Sequence, residues 1–215
     1  MAKRGYDDPC GIARGLDIVG TRWALLVVRE LMLGPKRFGD LLGGLTGMSA
    51  ETLAQRLRQL EDGGVVVKTT LPPPASAQVY GLTDWGYDLQ PVVVALGRWG
   101  SRAPFPPGDA ELSPDAMMLA LPTVFDPARA EGVDATFGLE LDGQPFHVTV
   151  ADDGLEMARG AGDAPVATLV TDTATLPGLL WRDVPIERAE ANGTLAIEGS
   201  RRAARKFLKL FAWSE

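Results

Sequence analysis

The 215-residue chain is 46% hydrophobic and 23% charged, the balance of a globular protein. No apolar run reaches the ~18 residues of a membrane span, which excludes an integral helical membrane protein. The net charge of −7 is unevenly spread, with 11 Lys+Arg against 10 Asp+Glu in residues 1–100 and 10 against 18 in residues 101–215. Attraction for a polyanion must therefore come from local clusters in the first half, and the acidic second half is not expected to touch nucleic acid.

The length suits two domains of about 100 residues, each with its own core. The opening Met1-Ala-Lys-Arg-Gly-Tyr-Asp-Asp8 has two basic residues but no apolar segment after them, so no signal peptide is read and a cytoplasmic protein is expected. The single Cys excludes an internal disulfide framework. Cys10 has two readings: a small buried side chain, the commoner state of a free Cys, or a thiol sensor whose thiolate is favoured by the nearby Arg14.

Apolar residues are dense from Ile12 to Leu33, with Gly20-Thr21 interrupting them and Thr21 placed to cap a helix from Arg22 to Leu33. A helix apolar nearly all round is buried on both sides, which implies a subunit interface. Gly34-Pro35 breaks the chain before a short helical pattern that ends at Thr46-Gly47. Ser49 then opens the most completely specified element, a helix to Asp62. Its hydroxyl can accept an orphan N–H, Glu51 suits the positive end, and Gly63-Gly64 permits the stop.

At about 100° per residue, Leu53, Leu57 and Leu60 form one packing stripe, leaving Glu51, Thr52, Gln55, Arg58 and Gln59 opposite and Arg56 on a flank. Amide, hydroxyl and guanidinium groups are the ones that read base edges. Val65–Thr70 and Gln78–Leu82 are β-rich runs around the Pro-rich 71–77, a hairpin too stiff at its tip for a tight turn. A helix, a Gly-containing turn, a polar-faced helix and a wing follow one another within fifty residues, which is a winged helix-turn-helix.

The residues that carry a family resemblance are Cys10–Trp23, Leu25–Leu31, Gly34-Pro-Lys-Arg-Phe38, Leu53-Ala-Gln-Arg-Leu-Arg-Gln-Leu-Glu61 and Tyr80-Gly-Leu-Thr-Asp-Trp-Gly86. Together they resemble the HxlR family of winged-helix transcription regulators. The resemblance implies that Ser49, Thr52, Gln55, Arg56 and Gln59 line the major groove of double-stranded DNA, while Lys36, Arg37 and Lys68 hold phosphates. It also implies dimerisation through the terminal helices and, in some members, redox sensing at the N-terminal Cys. Two features depart from the family pattern: Glu51 is acidic, and the wing tip carries no Lys or Arg.

Thr83 can cap a long helix from Asp84 to about Trp99, with Leu89, Val92, Val93, Leu96 and Trp99 on one stripe and Pro91 set to kink it or break its first turn. The stripe covers its own domain or forms a dimer seam, and the resemblance favours the seam. A C2 homodimer would set two recognition helices about 34 Å apart and require a palindromic site. Residues 1–100 are thus read as the DNA-binding and dimerisation domain, and the Pro-rich 101–112 as a semi-rigid linker.

Residues 113–215 change pattern. Ser113-Pro114 opens a helix with Met117, Met118, Leu119 and Leu121. Alternation over Asp134–Leu141, the turn Asp142-Gly143, and Phe146, Val148 and Val150 predict a hairpin with one apolar face, His147 lying on the other. Further strands are expected at Leu155–Ala158, Ala164–Thr171 and Gly193–Gly199, and helices at Asp172–Trp181, Ile186–Ala191 and after Ser200.

Phe137-Gly-Leu-Glu-Leu-Asp-Gly143, Asp152-Asp-Gly-Leu-Glu156, Pro165–Asp172 and Ala191-Asn-Gly-Thr-Leu-Ala-Ile-Glu-Gly199 resemble the sterol-carrier-protein-like lipid-binding domain. This implies a five-stranded sheet with helices over one face and an apolar cavity between. Leu176, Leu179, Leu180, Trp181, Phe207, Leu208 and Phe211 would line that cavity for a small hydrophobic ligand, or would serve equally as filled core. With one His and one Cys, no Gly-x-Ser-x-Gly elbow and no Gly-rich phosphate loop, neither an enzyme nor a metal or cofactor is expected.

The expectation is an α+β homodimeric transcription regulator whose operator affinity follows a hydrophobic ligand. The alternatives are a thiol-switched regulator acting through Cys10, with a structural second domain, and a lipid carrier that does not bind DNA.

Overall fold

A computed structural model describes residues 5–104, 112–151 and 154–211 of the chain. It is α+β and divides into two compact units, Met1–Val93 and Val94–Glu215. Residues 105–111 of the expected linker, Asp152 and Asp153 of the second-half motif, and the opening residues 1–4 lie outside the described residues. Among the described residues, no helix is long and apolar enough to cross a membrane.

The first unit holds α1 (Gly11–Val19), α2 (Ala24–Leu31), α3 (Phe38–Gly44), α4 (Ala50–Asp62), β1 (Val66–Thr70), β2 (Gln78–Leu82) and α5 (Asp84–Tyr87). The expected cap at Thr21 is not made: α2 starts two residues later, after Trp23, with no side-chain cap. The reason is that Gly20 closes α1 through its N–H to the Leu16 carbonyl, after which the carbonyl of Thr21, not its hydroxyl, receives the Ala24 N–H. Trp23 sits at φ +79°, in the left-handed region. Nor is α2 buried all round within one chain, since Leu26 is 39% exposed while Val27, Val28 and Leu31 are fully buried.

Between α3 and α4 the chain turns through Gly47, whose φ of +84° favours glycine. Leu53, Leu57 and Leu60 of α4 are all buried, each stabilising the unit by roughly 1.5–3 kcal/mol relative to exposure. The Ser49 hydroxyl accepts the Thr52 N–H as the expected N-cap. Beyond α4, β1 and β2 pair antiparallel from Val66↔Leu82 to Thr70↔Gln78, with 71–77 as the wing tip.

The Tyr80–Gly86 motif has a physical explanation. Tyr80 exchanges both backbone hydrogen bonds with Lys36 at 2.9 and 2.8 Å, which pins the start of α3 to the wing. The Thr83 hydroxyl donates to the Gly64 carbonyl at 2.8 Å and accepts the Gly86 N–H at 3.0 Å, which pins the end of α4 to α5. A side chain at position 86 would drive into the Val65 carbonyl, so only glycine fits there.

The single helix expected from Asp84 to Trp99 is two: α5, and α6 (Gln90–Gly100), which spans the division between the units. Pro91 is the second residue of α6, where its missing N–H costs nothing and its ring favours a new start. Nothing on α6 is buried, and Val92, Leu96 and Trp99 are exposed, Trp99 by 71%.

The second unit holds α7 (Pro114–Val124), β3 (Ala135–Leu141), β4 (Gln144–Ala151), β5 (Gly154–Arg159), β6 (Ala167–Thr171), α8 (Leu176–Trp181), α9 (Ile186–Ala191), β7 (Leu195–Gly199) and α10 (Arg201–Leu208). The strands form one five-stranded sheet in the order β5-β4-β3-β6-β7, with β3 and β6 parallel and the other neighbours antiparallel. Alternation places Phe137, Leu139, Leu141, Phe146, Val148 and Val150 in the core.

Helix α8 begins at Leu176, four residues after the expected Asp172, because the Asp172 carboxylate instead accepts the Thr175 N–H and shapes the turn before it. His147 lies on the non-core side of β4, half-buried, its Nδ1 3.1 Å from the Gly160 carbonyl. At the edge of the sheet the Arg159 guanidinium pairs with Asp115, a carboxylate buried in the first turn of α7.

Candidate functional site

The exposed face of α4 is built from its N-cap outward. Ser49 and Thr52 share a hydroxyl–hydroxyl bond of 2.8 Å, which fixes both rotamers and leaves spare donor and acceptor capacity facing outward. One turn on, Gln55 is exposed and, among the described residues, makes no side-chain hydrogen bond, so both ends of its amide are open to a base edge. Arg58, also exposed, is equally uncommitted among the described residues, although it was not among the residues that the resemblance placed in the groove. Its signal in the sequence was its place on the polar face.

Arg56 is committed elsewhere. Its Nε donates to the Arg22 carbonyl at 2.9 Å and its Nη1 to the Gln59 side-chain oxygen. The guanidinium expected to line the groove instead ties α4 to the turn before α2, and the Gln59 side-chain oxygen is partly engaged while its NH2 group stays open.

The Lys36 ammonium, expected to hold a phosphate, is buried and paired. The residue is 8% exposed, and its Nζ donates at 2.8 Å to Glu30, a fully buried carboxylate that also receives Arg29 at 2.9 Å. The bridge to Tyr80 fixes the Lys36 backbone, and its side chain turns inward because Glu30 must be paired. Arg37, next in the chain, and Lys68 on the wing are exposed; the Lys68 ammonium lies 5.6 Å from the Tyr80 ring centroid. Of the three expected phosphate-holding cations, these two remain exposed.

Cys10 is exposed, not buried as a structural thiol would be, and stands at the N-cap of α1 with its own N–H donated to the Asp8 carboxylate at 2.9 Å.

In the second unit an open groove of about 410 Å³ is lined both by apolar side chains, Leu179, Leu180, Val184, Ile186, Leu208 and Phe211 among them, and by charged ones. That volume is in the range of small-molecule sites. Of the seven expected lining residues, Leu179, Leu180, Leu208 and Phe211 reach it. Leu176, Trp181 and Phe207 do not. Leu176 and Phe207 are fully buried, the Phe207 ring lying 4.8 Å from that of Phe137 and 5.0 Å from that of Phe211. They are core.

On the rim, Arg205 of α10 pairs with Glu187 of α9, which Arg201 also reaches. A backbone N–H at the start of α9, then Arg205, hold the Glu187 carboxyl below its ordinary value, and Glu190 before Glu187 raises Arg201. Among the described residues no three His, Cys, Asp or Glu side chains come together as a metal site.

Comparison with known proteins places residues 18–104 in the HxlR-like helix-turn-helix family. An HTH-type transcriptional regulator of Synechocystis sp. is 40% identical over 92 residues, which cover 43% of this chain and 68% of that protein. One of Mycobacterium tuberculosis is 38% identical over 91 residues, covering 42% of this chain and 57% of that protein. The match thus spans little more than half of the mycobacterial relative's length. The solved structure of the reduced form of the transcriptional regulator YodB from Bacillus subtilis is 32% identical, covering 47% of this chain and 100% of that chain, with a TM-score of 0.40.

Proposed function

The chain belongs, through its first half, to the HxlR-like helix-turn-helix family of transcription regulators, and from that premise we propose that it is a one-component regulator in which Ser49, Thr52, Gln55 and Arg58 read a palindromic operator. Two copies bind as a homodimer, and the second unit senses a small hydrophobic molecule. The observation that carries the DNA reading is the uncommitted polar face of α4 on a helix whose opposite side is fully packed. The exposed Arg37 and Lys68 hold phosphates. The exposed apolar stripe of α6 supports a dimer seam, because Val92, Leu96 and Trp99 have no partner element burying them within the described chain.

The ligand reading is supported by the size of the groove and by the apolar side chains among its lining, which also carries Arg129, Asp183, Glu187, Arg205 and Lys209. The sheet order and the helices over its apolar face support the sterol-carrier-like reading of this unit. A ligand bound there shifts operator affinity only as far as it prefers one conformation of the dimer over another.

Replacing both Thr52 and Gln55 by Ala tests the DNA reading. Without these base contacts, binding to a selected operator should weaken by at least about tenfold, at 1–3 kcal/mol per good contact, while binding to random duplex is retained. An unchanged ratio of operator to random-duplex affinity by fluorescence anisotropy overturns it.

The exposure of Cys10 favours a second reading, a thiol switch. Two Cys10 thiols of the dimer would join as a disulfide, giving two electrons and two protons to a peroxide that leaves as water. Under peroxide, Cys10→Ser should then hold its operator while the unsubstituted chain releases it; equal release by both proteins sinks this alternative.

A further inference from the structure

The bond from Arg56 to Arg22 changes what both residues can do. Arg56 lies about 40° around α4 from Thr52, on the flank between the polar face and the packed stripe. Its Nε holds the Arg22 carbonyl at 2.9 Å across 34 positions of sequence. The backbone of the turn before α2 is thereby fixed one side chain's length from the face that would meet DNA.

From that turn the Arg22 side chain runs outward. It is exposed, its guanidinium carbon lies 5.5 Å from the centroid of the Trp23 ring, and among the described residues it has no carboxylate partner. Trp23 holds a left-handed backbone that L residues rarely adopt, so the turn has a specific shape and is not a generic loop. A planar cation backed by a ring, with its own carbonyl tethered, has little freedom left to lose on meeting an anion. The anion that comes to this edge of α4 in a DNA-bound regulator is a phosphodiester.

We propose that Arg22 is a phosphate-binding residue of the DNA interface, and that Arg56 is a positioning residue that presents it, not a reader of bases. The inference rests on the DNA reading given above and assigns two residues within it. Arg22 then adds to affinity on any sequence, whereas Gln55 and its neighbours add to selectivity.

The test uses the full chain, an operator selected from a random-sequence duplex pool, and a random duplex of the same length, each titrated over a range of KCl. Arg22→Gln should weaken both duplexes by the same factor and flatten the slope of log K against log[KCl] by about 0.9 for each phosphate no longer neutralised. Arg56→Ala should reproduce that slope change, and the double variant should show no further change, because both act through one phosphate. The exposed Arg22 can be exchanged without unfolding the unit, which a thermal melt of each variant checks. An Arg22→Gln protein with the original salt slope overturns the proposal. So does an Arg56→Ala protein that loses operator preference at unchanged slope, since Arg56 would then read bases. If the unsubstituted chain binds no duplex, the DNA reading fails and takes this inference with it. If it binds and depends on Gln55 but not on Arg22, only this inference fails.

Discussion

Lys36→Met should destabilise the first unit by about 3–5 kcal/mol, the usual cost of removing one partner from a buried ion pair. The Glu30 carboxylate has no exposure, and Lys36 supplies one of its charged hydrogen bonds at 2.8 Å. For a unit of this size such a loss lowers the melting midpoint by about 12–40 °C. The double exchange of Glu30→Leu with Lys36→Met should recover part of it, because the buried carboxylate no longer needs a partner, while Arg29 loses its own. A phosphate-holding Lys36 predicts the reverse: an unchanged melt and a shallower salt dependence of DNA binding. Thermal denaturation of the three proteins separates the two roles.

Phe207→Ala is the matching case in the second unit. Phe207 is fully buried on α10 against Phe137 and Phe211 and does not reach the groove. Truncation opens a cavity in a packed core and should cost about 3–5 kcal/mol. Denaturant unfolding followed by a probe of the second unit should show the midpoint falling with m unchanged. Were Phe207 part of a vacant ligand cavity, removal of its ring would change stability by little and alter uptake of an apolar molecule.

These two residues show where the sequence can be read and where it cannot. Helix α4 was legible to its ends because everything that defines it is local: the Ser49 cap, the Leu53, Leu57 and Leu60 stripe, and the paired glycines after Asp62. The hairpins were legible for the same reason, Asp142-Gly143 lying between two alternating runs. The burial of Lys36 was not legible because it depends on a partner outside its own element and on the bridge to Tyr80, more than forty positions away.

Arg56 likewise looks like a groove residue on any helical wheel, and only the fold brings the Arg22 carbonyl to it. The lining of the groove divided by depth, which periodicity does not report. Phe207 and Leu208 are neighbours on α10, yet only Leu208 reaches the groove. The break between α5 and α6 was signalled by Pro91, but whether a proline kinks a helix or restarts it depends on how the chain packs before it.

The polar face of α4 should meet DNA twice, once from each copy. The direct measurement is footprinting of the full chain on an operator selected from random duplexes. Two protected half-sites related by a dyad are expected, their centres about 10 base pairs or a whole multiple of a turn apart. Uniform protection without selected sequence, or a single unpaired half-site bound by one copy, would contradict the claim.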